Sequence, residues 1–178
     1  MTEADRSRER RRHLVQGEFA VSGEPALCLT TLLGSCVAAC LWDADARVGG
    51  MNHFLLPEAP EGATGDRRYG VQSMELLIND LLKRGARRDR LSAKVFGGAR
   101  MTDALADIGR RNADFVQVFL KDEAIPIRNA SLGGDAARRI QFWPASGRVR
   151  QHFVQNDPAL RQQSVKPPMP PSGDLELF

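Results

Sequence analysis

From Gly17 to Leu56 the chain runs as short apolar stretches cut by turn formers. "EFAVSG", "ALCLTTLL", "CVAACLWD" and "VGGMNHFLL" are separated by Gly, Ser, Asp and Pro, the punctuation of successive strands. "WDADARVGG" reads as the hairpin connection between two of them, because Asp side chains form local turns and glycine permits unusual φ. At residues 70–84 the period changes. Val71, Met74, Leu77, Ile78, Leu81 and Leu82 recur at helical spacing, and Gly85 stands where a left-handed C-cap belongs. "RLSAKVFGG" then predicts a strand running into a glycine turn. A second helix follows from Asp107 to Asp122, with Ile108, Phe115, Val116, Phe119 and Leu120 inward. "AIPIRNAS", "RRIQFWPA" and "GRVRQHFV" close the pattern as strands, the last two joined by a turn at Pro144 to Gly147. Strands in a run, then two helices among further strands, predict an α+β single domain of sheet layers flanked by two main helices.

The ends of the chain lack periodicity. Residues 1–13 are polar and charged and are expected to be a disordered basic tail. Residues 156–178 are Pro-rich and expected to be flexible, which leaves 14–155 as the domain. Residues 57–68, "PEAPEGATGDRR", are expected to form an irregular surface loop.

Composition narrows the class. With 178 residues, 42% hydrophobic and 26% charged, the chain suits one ordinary globular domain. No apolar run is long enough to cross a membrane, and the N-terminus has no apolar segment behind its charges. A cytoplasmic, monomeric protein without membrane insertion is the expectation. The net charge of +3 matters less than its placement. Residues 83–111 hold nine Lys/Arg against three acids, either a solvated face or a docking surface for an acidic partner. Nucleic acid is not expected, since the basic stretches lack interleaved aromatics and any recognised binding motif.

Candidate chemistry lies in the first third. Cys28, Cys36 and Cys40 are an odd count over thirteen residues, not a disulfide framework. Cys36 follows a Gly34-Ser35 bend. Of three histidines, His13 lies in the charged tail and His152 near the end of the last strand, while His53 alone sits in an apolar strand. The seventeen positions from Cys36 to His53 fit one strand out, a turn and one strand back. Spacing alone leaves three readings open: a buried structural cysteine, a metal site of Cys36, Cys40 and His53 lacking an evident fourth ligand, or a nucleophile with its base.

"LGSCVAACLWD" followed by "VGGMNHFLLP" resembles the signature of the CheD family, the chemoreceptor glutamine deamidases of bacterial chemotaxis. "YG" before the first helix, "FGGARM" at 96–101, "IGRRN" at 108–112 and "GG" at 133–134 continue the likeness across roughly residues 14–153. The loop "ASLGGDAARR" departs from it, lacking an acid before the glycines and an asparagine after them. The resemblance implies hydrolysis of glutamine side chains on methyl-accepting chemotaxis receptors, and a related receptor methylesterase activity. It implies Cys36 as nucleophile, His53 as base and Thr30 as the residue orienting the imidazole. Thr31 is adjacent, and strand alternation lets only one of the two face the histidine. Backbone N–H groups around Gly34, Ser35 and Cys36 are candidates for the oxyanion site. No cofactor or metal is implied. In many members of the family a complex with the phosphatase CheC is implied as well. The rival is a non-catalytic adaptor of the same fold, with Cys36 merely buried. If Cys36 is a catalytic thiol, it is expected to react with iodoacetamide faster than Cys28 and Cys40, at a pH below that of a free thiol.

Overall fold

A computed structural model describes residues 9–56, 65–102 and 106–154 of the chain. Its strands are β1 (Arg10–His13), β2 (Phe19–Ser22), β3 (Leu27–Leu33), β4 (Val37–Asp43), β5 (Val48–Asn52), β6 (Ser92–Gly97), β7 (Ile127–Leu132), β8 (Ala137–Trp143) and β9 (Arg148–Val154). The helices are α1 (Gly65–Lys83) and α2 (Ala106–Asp122), with a single 3-10 turn at Arg88–Arg90. They make three layers. Both helices cover one face of a five-stranded sheet, ordered β2-β5-β4-β6-β7, and a four-stranded sheet, ordered β1-β3-β8-β9, covers the other. This is the α+β architecture the sequence predicts.

β4 explains why its sequence shows no polar alternation. Val37, Ala39 and Leu41 pack toward Met74, Leu77, Ile78 and Val116 of the helices. Cys36, Ala38 and Cys40 face Leu29, Leu33, Ile140 and Phe142 of the second sheet. A strand covered on both faces has no position for a polar residue. The hairpin to β5 forms as expected: Asp43 Oδ1 accepts from the N–H groups of Asp45 and Ala46, each at 3.0 Å.

α1 ends at Gly85 with φ +95°, where the Ala86 N–H reaches back to the Leu81 carbonyl at 3.1 Å. Three expectations need correction. α1 begins at Gly65, so residues 65–68 are helical rather than loop, while 57–64 lie outside the described residues. Val71 is 39% exposed and does not belong to the buried stripe of Met74, Leu77, Ile78 and Leu81. Residues 10–13 are not a disordered tail: they form β1, parallel to β3, with Arg10 opposite Leu27 and His13 opposite Thr30. An edge strand is held by backbone pairing, so "RRRH" needs no apolar side chain to be one. The expected Pro-rich segment lies outside the described residues.

Candidate active site

β3 and β4 belong to different sheets, so the chain must cross between layers in the bend Gly34-Ser35-Cys36. Backbone contacts fix that bend. Gly34 carbonyl accepts from Ala99 N–H at 2.9 Å, and Cys36 carbonyl accepts from Gly98 N–H at 2.8 Å. The glycine pair of "FGG" is what allows this approach: Gly97 has φ +115°, and a Cβ there would stand 2.1 Å from the Cys36 carbonyl oxygen. Asn112, fully buried on α2, completes the arrangement. Its Nδ2 donates to the Ser35 carbonyl at 2.9 Å, and its Oδ1 accepts from the Leu56 N–H at 2.8 Å. One amide thus ties the loop before β4 to the loop after β5.

Strand register brings cysteine and histidine to one face. β4 and β5 pair with Cys40 opposite Met51, and an isolated bridge sets Val37 opposite Phe54. His53 therefore falls opposite Ala38, and Cys36 is its diagonal neighbour on the face toward the second sheet, a separation that long side chains bridge. His53 is 2% exposed and Cys36 is 5% exposed.

The histidine is held from the second sheet. Thr31 Oγ1 lies 2.8 Å from His53 Nδ1 and 2.8 Å from the Leu14 carbonyl oxygen, which in turn lies 3.5 Å from Nδ1. A carbonyl only accepts, so the threonine hydroxyl gives its proton to Leu14 and offers a lone pair to the ring. Nδ1 must then carry the ring hydrogen. Nε2 is left as the basic nitrogen, and it is buried with no hydrogen-bond partner among the described residues. A buried ring nitrogen without such a partner is uncommon in a native interior.

Burial favours the neutral form of both groups. Burial pushes the Cys36 thiol up to about 12, opposed only by its own backbone N–H. Burial lowers His53 to about 4, against the raising effect of the Leu14 backbone. This reverses the expectation that Cys36 reacts below the range of a free thiol. The sulfur's one hydrogen-bonding side-chain neighbour among the described residues is Gln16, with Oε1 at 3.6 Å.

The structure thus brings together Cys36, His53 and the Gly34-Ser35 bend, but corrects the threonine. Thr30 points to the outer face of its sheet, where its Oγ1 lies 3.3 Å from Nδ1 of His13, and it does not reach His53. Thr31 is the hydroxyl at the buried histidine, because Leu29, Thr31 and Leu33 are the inward set of β3. Cys28 and Cys40 are fully buried, and all three cysteines are free thiols. Among the described residues no group of three or more His, Cys, Asp or Glu is placed to hold a metal ion. No described helix is long and apolar enough to cross a membrane. Sequence reasoning missed Gln16 and Asn112. Asn112 closes the "IGRRN" motif, and that was the one signal available for it.

The basic stretch 83–111 is largely paired with acids, most of them from other parts of the chain. At least six of its nine cations sit in ion pairs: Arg84 with Asp80, Arg87 with Asp89, Arg88 with Glu123, Arg90 with Asp43, Arg100 with Asp135 and Arg110 with Asp107. That favours the solvated-face reading over a docking surface.

The fold is thus a layered α+β domain with a thiol and a threonine-tethered imidazole on one face of its inter-sheet core. The chain belongs to the CheD family: the family model described as CheD chemotactic sensory transduction matches residues 55–152. A Caulobacter vibrioides protein named as a probable chemoreceptor glutamine deamidase CheD is 56% identical over 172 residues, covering 93% of this chain and 92% of that one. An Agrobacterium fabrum protein of the same name is 53% identical over 175 residues, covering 95% and 97%. The family model begins just past His53. The relatives reach further, leaving out only about a dozen residues of this chain, so Thr31, Cys36 and His53 fall inside those matches. A solved Neisseria meningitidis protein, NMB0706, overlays at a TM-score of 0.46 and 9% identity, over 71% of this chain and 64% of that one, too loosely to bear on function.

Proposed function

We propose that this protein is a chemoreceptor glutamine deamidase that converts receptor glutamine side chains to glutamate through Cys36, His53 and Thr31. The observation that carries the chemistry is the Thr31 hydroxyl on His53 Nδ1, which leaves Nε2 as an unpartnered base on the face shared with Cys36. The relatives' names support the substrate.

The neutral resting pair sets the order of events. Without a preformed thiolate, the Cys36 proton passes to His53 Nε2 as the sulfur attacks the side-chain amide carbon. The carbonyl oxygen takes the electron pair, and N–H groups of the Gly34-Ser35-Cys36 bend donate to it. Collapse breaks the C–N bond, and the proton on Nε2 leaves with ammonia. Water then adds to the thioester, its proton taken by the same nitrogen, and glutamate and thiol are released. Receptor glutamate methyl esters would be opened by the same route, with methanol as the leaving group. The site works in a cytoplasmic protein that meets the receptor's cytoplasmic helices, with CheC as a further partner.

Mass spectrometry of a receptor cytoplasmic fragment tests this. Wild type is expected to produce the mass increase of deamidation, and Cys36→Ala and His53→Ala none. Equal deamidation by all three would overturn the assignment. The adaptor reading draws on the burial of Cys36, and it predicts receptor binding without any mass change in wild type.

A further inference from the structure

As the Cys36 proton leaves and the sulfur attacks, negative charge develops at the sulfur and passes to an oxygen one carbon away from it. A donor that serves this charge must therefore already stand close to Sγ. Backbone N–H groups of the bend are one source. Gln16 is the side chain in contact with the sulfur, and nothing in the reading above uses it.

Its position is built in. Gln16 lies in the turn between β1 and β2, and both backbone groups of the histidine hold that turn. Gly17 N–H donates to the His53 carbonyl at 2.7 Å, and His53 N–H donates to the Glu18 carbonyl at 3.0 Å. The turn is closed on itself by Glu18 N–H to the Val15 carbonyl at 3.1 Å and by Val15 N–H to the Glu18 carboxylate at 3.0 Å. Gly17 adopts φ +90°, which lets the chain reverse so tightly. The backbone of Gln16 is therefore fixed relative to the base, while the residue is exposed and its carboxamide reaches the Cys36 sulfur.

We propose that Gln16 is a further catalytic residue, whose carboxamide holds the Cys36 thiol at rest and then donates to the charge that develops there. This inference rests on the deamidase reading. A carboxamide suits the task because it carries both an acceptor and two donors. At rest the S–H donates to Oε1. Once that proton has moved to His53 Nε2, the sulfur has nothing to donate and Oε1 faces a negative charge. A half-turn about the terminal torsion, which is soft for an amide, replaces Oε1 with the NH2 group. The same donor then faces the tetrahedral oxygen as the Sγ–C bond forms. A charged residue in this place would favour only one end of the cycle, whereas a neutral amide serves both.

Three variants test it: Gln16→Ala, Gln16→Glu and, as the internal control, Cys36→Ala. Gln16 is exposed, so the circular dichroism spectrum and melting temperature of its variants are expected to match wild type. On a receptor fragment, Gln16→Ala is expected to lower kcat roughly a hundredfold with KM little changed, as for loss of one oxyanion donor. Gln16→Glu, acceptor-only when ionised, is expected to lose at least as much. An unchanged kcat in Gln16→Ala would overturn the proposal and leave the deamidase reading intact, and a raised kcat would assign Gln16 as a shield instead. Should wild type itself fail to deamidate, the deamidase reading falls. Gln16 is then judged by the pH profile of Cys36 alkylation, mapped by peptide mass. A midpoint moved upward in Gln16→Ala supports donation to the thiolate, and a higher plateau with an unmoved midpoint overturns it.

Discussion

Thr30 and Thr31 are the same residue type, adjacent, on one strand, and each contacts Nδ1 of a histidine. Thr30 meets His13 at 3.3 Å on the outer, solvent-facing side of the sheet, and Thr31 meets His53 at 2.8 Å in the interior. What separates them is the third group. Thr31 is bound to the Leu14 carbonyl as well, and that acceptor dictates which way the hydroxyl proton points and hence which ring nitrogen is basic. Among the described residues no comparable acceptor directs Thr30. A Thr–His contact becomes a device for setting a tautomer only where burial removes water as an alternative partner.

The sharpest way to break this comparison is to remove each hydroxyl while keeping the β-branched shape. Thr31→Val is expected to cut kcat for deamidation by roughly ten- to a hundredfold, because a free imidazole no longer presents Nε2 reliably. It should also cost about 1–3 kcal/mol in urea unfolding, for a buried acceptor left unpaired. Thr30→Val should change neither kcat nor stability beyond about 0.5 kcal/mol. Equal losses from the two would erase the distinction between the faces.

Acid titration sharpens it further. His53 titrates near 4 when folded and near 6.5 when unfolded, so between those values the unfolded chain binds the extra proton. Stability is therefore fully present above about 6.5 and falls as the pH drops toward 4, by up to about 3 kcal/mol from this one group. His53→Gln is expected to flatten that part of the stability curve, whereas His13→Gln should leave it standing. At the alkaline end the sign reverses. Burial holds the Cys36 thiol up to about 12 against about 9 unfolded, so stability declines as the pH rises past 9. Cys36→Ser should lessen that decline. The smallest effect concerns labelling at neutral pH: Cys36 should be alkylated slowly, yet ahead of Cys28 and Cys40, which have no exposed surface at all.

Much of this was readable before any coordinates. The apolar runs located the strands, because a strand buried on both faces, as β4 is, must be continuously apolar. The helical period located α2 to within one residue of its start. β1 was not legible, since its pairing uses backbone alone and its side chains are Arg and His. The Cys36 to His53 spacing suggested a shared face, and the register supplies it. The choice between Thr30 and Thr31 depended on which face of β3 turns inward. "LCLTTLL" is apolar on both sides of its threonines, so alternation could say that they differ but not which is which. The lowered thiol pKa expected of Cys36 runs against its burial for a related reason. Sequence shows that a histidine is near, but not that both groups are shut away from water.

One last feature concerns mechanics. The loop that carries the nucleophile and the loop that carries the base are both referenced to the same point, the side chain of Asn112. A small displacement of α2 pulls on both loops together, so part of the helix's motion is shared by the two reacting groups. An arrangement without this common tie would lack that shared part.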